Sequence, residues 1–119
     1  MAKPFAIVLG IVLTAVGVWG MMTGGHDHNL VLFGINAPHN VVHLASGLLA
    51  LVTGLIGAGA ARTFLRIFGA VYGLVAVLGF LNVGAAVHLL NLNMADNFLH
   101  LVIAGACLWA SGQGASASG

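Results

Sequence analysis

The chain has 119 residues, 61% of them hydrophobic and only 4% charged. So few charges cannot dress the surface of a soluble domain of this size, and a net charge of +1 gives nucleic acid or an acidic substrate nothing to follow. What remains is an all-α, integral-membrane protein of a single domain, with a mean hydropathy of +1.11.

Met1 to Gly25 has the outline of a signal peptide, with Lys3 ahead of an apolar stretch. The run ends in Met21-Met22-Thr23-Gly24-Gly25 without a small-residue cleavage site, so a retained first span over residues 5–22 is expected. Pro4 suits its first turn. Gly24 to Asn29 reads as a loop. Leu30 to Ile35 is too short to cross a bilayer and should lie at the interface or on the bundle. Asn36 or Ala37 caps a second span over 38–58, with Pro38 in its first turn. A short turn over 57–63 carries Arg62, and Arg66 follows it. The third span is expected over 64–89 and the fourth over 94–110, joined by Asn91-Leu92-Asn93. The tail, 111–119, is made of Gly, Ser, Ala and Gln and is expected to be flexible. Cys107 lies within an apolar run, and a small buried side chain is its ordinary role.

The three basic residues, Lys3, Arg62 and Arg66, fall at one end of this four-span arrangement. The other two loops carry no Lys or Arg. The positive-inside rule then sets both termini in the cytoplasm of a multi-pass protein of the cytoplasmic membrane. All six histidines and both aspartates belong to the opposite, extracytoplasmic end.

Two stretches there match each other. Asn36-Ala37-Pro38-His39-Asn40-Val41-Val42-His43-Leu44 and Asn93-Met94-Ala95-Asp96-Asn97-Phe98-Leu99-His100-Leu101 both place polar residues at i, i+3, i+4 and i+7. On a helix that spacing is one stripe. Gly10 and Gly20 in the first span answer Gly69 and Gly79 in the third. The expected architecture is a four-helix bundle built from two tandem helical-hairpin repeats, related by an axis along the membrane normal that brings the stripes face to face. Small residues such as Gly20-x-x-x-Gly24 and Gly69-x-x-x-Gly73 allow close helix approach.

The paired Asn-x-x-His-Asn-x-x-His-Leu and Asn-x-x-Asp-Asn-x-x-His-Leu motifs, with the Arg-x-x-Leu-Arg-x-Phe-Gly-x-x-Tyr-Gly segment over 62–73, resemble a family of small four-span bacterial membrane proteins. That family is known only as a domain of unknown function. The resemblance covers nearly the whole chain and implies the topology and the paired stripes. It implies no activity. His26 and His28 lie outside its pattern.

Asn36 and Asn93 read as helix N-caps, and Asn40 and Asn97, one turn deeper, as hydrogen-bonding partners across helices. His43 and His100 lie seven residues past the caps, roughly 10 Å along the axis, so they should face the interior. Three uses are open. The asparagines, histidines and Asp96 form a structural polar network that sets helix register. Alternatively His39, His43, Asp96 and His100 hold a divalent metal, since His39/His43 and Asp96/His100 are both i, i+4 pairs, or His43 and His100 ligate a haem or a pigment. Thirdly, the chain is a small subunit of a homo-oligomer or of a larger membrane complex. His26, His28 and His88 read as surface positions, and Asp27 as solvated. An enzyme is not expected: there is no nucleophile–base pattern and no phosphate loop.

Overall fold

The computed structural model describes residues 1–30 and 33–112. Four long apolar helices dominate: α1 (Ala2–Met22), α2 (Ala37–Ile56), α3 (Ala58–Phe80) and α5 (Met94–Gly112). Each is long and apolar enough to cross a bilayer. Their exposed side chains are apolar too, among them Val8, Ile11, Leu48, Leu74 and Val102. A surface of that kind is stable against lipid and not against water. Between α1 and α2, β1 (His28–Leu30) and β2 (Phe33–Ile35) pair antiparallel, with Asn29 opposite Gly34. The short helix α4 (Gly84–Leu90) precedes α5.

The third span departs most from its expected bounds. The span expected over 64–89 begins at Ala58, because only Gly57, at φ 154°, separates α2 from α3. It also ends at Phe80. Asn82 takes a left-handed φ of 55°, which stops the helix, and α4 starts separately. Asn91, at φ 53°, ends α4 in the same way. Of the short apolar piece expected at the interface, Leu30 ends β1 and Phe33–Ile35 form β2, while 31 and 32 lie outside the described residues. Of the expected tail, Ser111 and Gly112 belong to α5, and 113–119 lie outside the described residues.

α1 packs most extensively on α2, and α3 on α5. The contact between α2 and α3 is much lighter. One buried stripe per helix explains the pairing. In α1 it is Ala2, Ala6, Gly10, Leu13, Gly17 and Gly20. In α3, Ala61, Leu65, Gly69, Tyr72, Ala76 and Gly79 stand 59 positions later. In α2 the stripe is His39, Asn40, His43, Gly47, Ala50 and Gly54. Asp96, Asn97, His100, Ala104, Cys107 and Ser111 stand 57 positions later in α5. The apolar core, including Leu13, Leu65, Phe68, Tyr72 and Cys107, continues from the polar residues toward the end that carries Lys3, Arg62 and Arg66.

Candidate functional site

The polar end is assembled by helix caps that reach across to the other hairpin. Asn36 caps α2 by accepting from the His39 backbone N–H at 3.0 Å. Its amide donates to Asp27 Oδ1 at 3.0 Å and to the Leu89 carbonyl at 2.8 Å. Asp27, expected to be merely solvated, is thus part of the closure. At α5, Asn93 Oδ1 accepts from Asp96 N–H, and Asp96 Oδ2 accepts from Asn93 N–H, both at 2.9 Å, in a reciprocal capping box. The same Asp96 oxygen accepts from Gly34 N–H in β2 at 2.9 Å. Asn91 donates to the His28 and Ile35 carbonyls at 3.2 and 3.0 Å.

One turn deeper lie Asn40 and Asn97, each almost fully buried. Neither bonds across helices, as the stripe pattern had suggested. Asn40 makes no side-chain hydrogen bond among the described residues, and Asn97 only a long contact of 3.9 Å to Met94 Sδ. Each instead lies against a glycine. A Cβ at Gly20 would collide with the Asn40 amide, and one at Gly79 with the Asn97 amide. The close approach of α1 to α2, and of α3 to α5, uses the volume in which a bonding partner would have sat.

The three histidines of the stripes meet at the centre. His39, His43 and His100 are each at least 95% buried, and one ring nitrogen from each lies within 4.8 Å of the other two. Ring centroids are 4.5 Å apart for His39 and His43, 5.5 Å for His39 and His100, and 6.1 Å for His43 and His100. Asp96, the fourth candidate ligand, does not join them, because the cap of α5 and Gly34 occupy its carboxylate. A residue not singled out beforehand does join. The Tyr72 ring stands edge-on to His100 at 5.2 Å and lies 6.4 Å from His43. Its only sequence signal was its place in the Arg-x-x-Leu-Arg-x-Phe-Gly-x-x-Tyr-Gly segment.

Hydrogen-bond accounting sets the tautomers. His39 Nδ1 lies 2.9 Å from the Leu90 carbonyl, which can only accept, so Nδ1 carries the proton and Nε2 presents a lone pair. That lone pair faces His43 Nε2 at 3.2 Å. In a neutral cluster His43 Nε2–H donates to it, and His43 Nδ1 is then an acceptor. Nδ1 of His43 and Nδ1 of His100 are buried and have no hydrogen-bond partner among the described residues. Orphaned imidazole nitrogens in a membrane interior are costly and call for an ion, a water or a ligand.

The remaining histidines stand apart from this cluster. His28 Nδ1 is 2.6 Å from the His26 carbonyl and His28 Nε2 is 2.7 Å from Thr23 Oγ1. His26 stacks on His28 at 4.4 Å, and His88 is exposed on α4.

Four apolar helices with their polar residues gathered at one end define a multi-pass membrane protein. The chain belongs to the family described as domain of unknown function DUF4383, whose model matches residues 3–111. No curated protein and no solved structure matches it.

Proposed function

We propose that this protein binds a first-row transition metal, Zn(II) or copper in character, through His39, His43 and His100 near one face of the membrane. One observation carries the reading: three buried imidazoles converge, and one of them is held by a backbone carbonyl with its Nε2 lone pair turned inward. A carbonyl on the far nitrogen is the usual orienting partner of a ligating histidine. Two nitrogens on one tetrahedral ion stand roughly 3.4 Å apart, given metal–nitrogen bonds of 2.0–2.1 Å. The His39–His43 pair, at 3.2 Å, already meets that spacing. His100, whose ring nitrogen lies within 4.8 Å of the other two, closes the set by moving in by up to about 1.4 Å. Three neutral imidazoles suit zinc or copper better than magnesium or calcium. The third ring weighs against haem, because His39 occupies the space that a macrocycle between His43 and His100 would need.

The metal reading includes a binding role rather than an enzymatic one. It also includes two tandem hairpin repeats, supported by the constant 59- and 57-residue spacing of the buried stripes. Lys3, Arg62 and Arg66 support a cytoplasmic basic end, which sets the histidines on the extracytoplasmic side.

A second reading rests on the caps. Asn36, His39 and Asp96 tie each hairpin to the loops of the other, which fits a purely structural polar clamp. His43 and His100 make no such tie to a loop among the described residues.

The test is metal analysis of gently purified protein from zinc- or copper-supplemented cells, together with a Co(II) titration followed by visible absorption. Metal binding gives about one ion per chain and tetrahedral cobalt bands, both lost in His43→Ala/His100→Ala. At a hundredfold excess over Kd the ion adds about 2.7 kcal/mol of stability. A folded protein that takes up no ion and develops no cobalt bands is the clamp alone.

A further inference from the structure

The light contact between α2 and α3 leaves a groove of about 350 Å³ between them. Its rim, including Leu49, Ile67 and Val71, is apolar and exposed. Its floor holds Phe68, Tyr72 and Ser46. Tyr72 is 4% exposed, and its hydroxyl closes no hydrogen bond among the described residues, although Ser46 lies beside it. A buried phenol with no hydrogen-bonding neighbour but Ser46 among the described residues is unfavourable, so an acceptor that moves past the groove floor to reach the buried hydroxyl would be held there.

Depth and shape narrow what that acceptor is. Ser46 lies nine residues after the start of α2, ~14 Å along its axis, and Tyr72 eight residues before the end of α3, ~12 Å. Both are close to the middle of a hydrocarbon layer about 30 Å thick. A phospholipid ester carbonyl, tied to its headgroup at the interface, does not reach that level. A carbonyl on a wholly apolar molecule does. Beside the hydroxyls, α3 presents an aromatic row. Phe64 and Phe68 stack at 5.2 Å with 21° between their planes, and Phe68 lies 4.0 Å from Tyr72. Such a row favours a flat conjugated ring, stacked and offset. The volume is that of a small-molecule site rather than of a helix.

We infer that the α2–α3 groove binds an isoprenoid-quinone-type lipid, its ring on the Phe64–Phe68–Tyr72 row and one ring carbonyl accepting from the Tyr72 hydroxyl, with Ser46 as the second donor. The tail leaves between Leu49 and Ile67 into the bilayer. This site stands independently of the metal reading and is tested on metal-free protein.

The experiment places a reporter at the exposed rim, Leu49→Trp, in protein reconstituted into phosphatidylcholine nanodiscs. A decyl-substituted benzoquinone is titrated in, and quenching of the new tryptophan is read against quenching of Trp19 and Trp109. Saturable quenching at position 49 is expected, with Kd weakened about five- to tenfold by Tyr72→Phe, the loss of one hydrogen bond. Ser46→Ala is expected to weaken it by a smaller factor. Tyr72→Phe keeps the ring that packs on His100, so its unchanged melting temperature shows that the fold is intact; should it fail to fold, Ser46→Ala carries the comparison. Linear, non-saturating quenching that is equal at all tryptophans overturns the proposal and leaves the groove to ordinary acyl chains. Cross-linking of the position-49 variant into dimers, with no quinone dependence, overturns it in favour of a second copy of the chain.

Discussion

The two hairpins bury residues in the same rhythm but not at the same distance. In α1–α2 backbone meets backbone. A Cβ at Gly10 would come within 2.7 Å of the Gly47 carbonyl and of Leu51 N, and one at Gly17 within 2.9 Å of Leu44 N. In α3–α5 a Cβ at the corresponding Gly69 would meet the Leu108 side chain at 2.9 Å and the Ala104 carbonyl at 3.1 Å, and the position after Tyr72, Gly73, has only Ala104 Cβ at 3.6 Å. An added Cβ would meet main chain in both hairpins, but at 2.7 Å in the first and 3.1 Å in the second, where the nearest atom belongs to the Leu108 side chain, which can shift. The looser hairpin supplies Tyr72, which stands where the tighter one has Leu13. Close packing favours stability and leaves no room between helices, whereas a few tenths of an ångström of slack lets side chains adjust.

The sharpest way to break that comparison is a matched pair of substitutions. Gly10→Ala is expected to destabilise the protein by about 3 kcal/mol, since backbone has to move, and Gly69→Ala by about 1 kcal/mol. Unfolding in mixed detergent micelles measures both, and equal losses would show that the two interfaces are equally rigid. Next is Asp96→Ala, which removes the α5 cap and the tie to Gly34 together. A loss of about 2 kcal/mol is expected, with faster hydrogen exchange at the Gly34 amide. A third test asks whether the asparagines are spacers. Gly79→Ala is expected to cost about 1–2 kcal/mol, and Asn97→Ala in the same chain should recover most of that, as should Asn40→Ala with Gly20→Ala. Absence of coupling in either pair would mean that the asparagines act elsewhere. The smallest effect is a gain. A Cβ at Gly105, on the exposed face of α5, meets no atom within 4 Å among the described residues. Gly105→Ala is therefore expected to stabilise by about 0.5–1 kcal/mol through helix propensity.

Much of this was legible in the residues, for local reasons. Membrane residence follows from 4% charge, because no other solvent accepts such a surface. The N-caps at Asn36 and Asn93 were readable because a cap is decided within four residues. The i, i+4, i+7 stripes set which faces turn inward, since that periodicity belongs to the helix itself. The break of the third span at Asn82 was harder to see, because an asparagine in an apolar run signals a left-handed stop only once the next helix pulls away. Periodicity also says nothing of what stands opposite a face. Tertiary structure alone decided that Asp96 closes on Gly34 instead of joining the histidines, that Asn40 and Asn97 lie over Gly20 and Gly79, and that Tyr72 stands against His100. Those outcomes depend on the rotation and separation of neighbouring helices, set by contacts between residues tens of positions apart, which no spacing along one helix encodes.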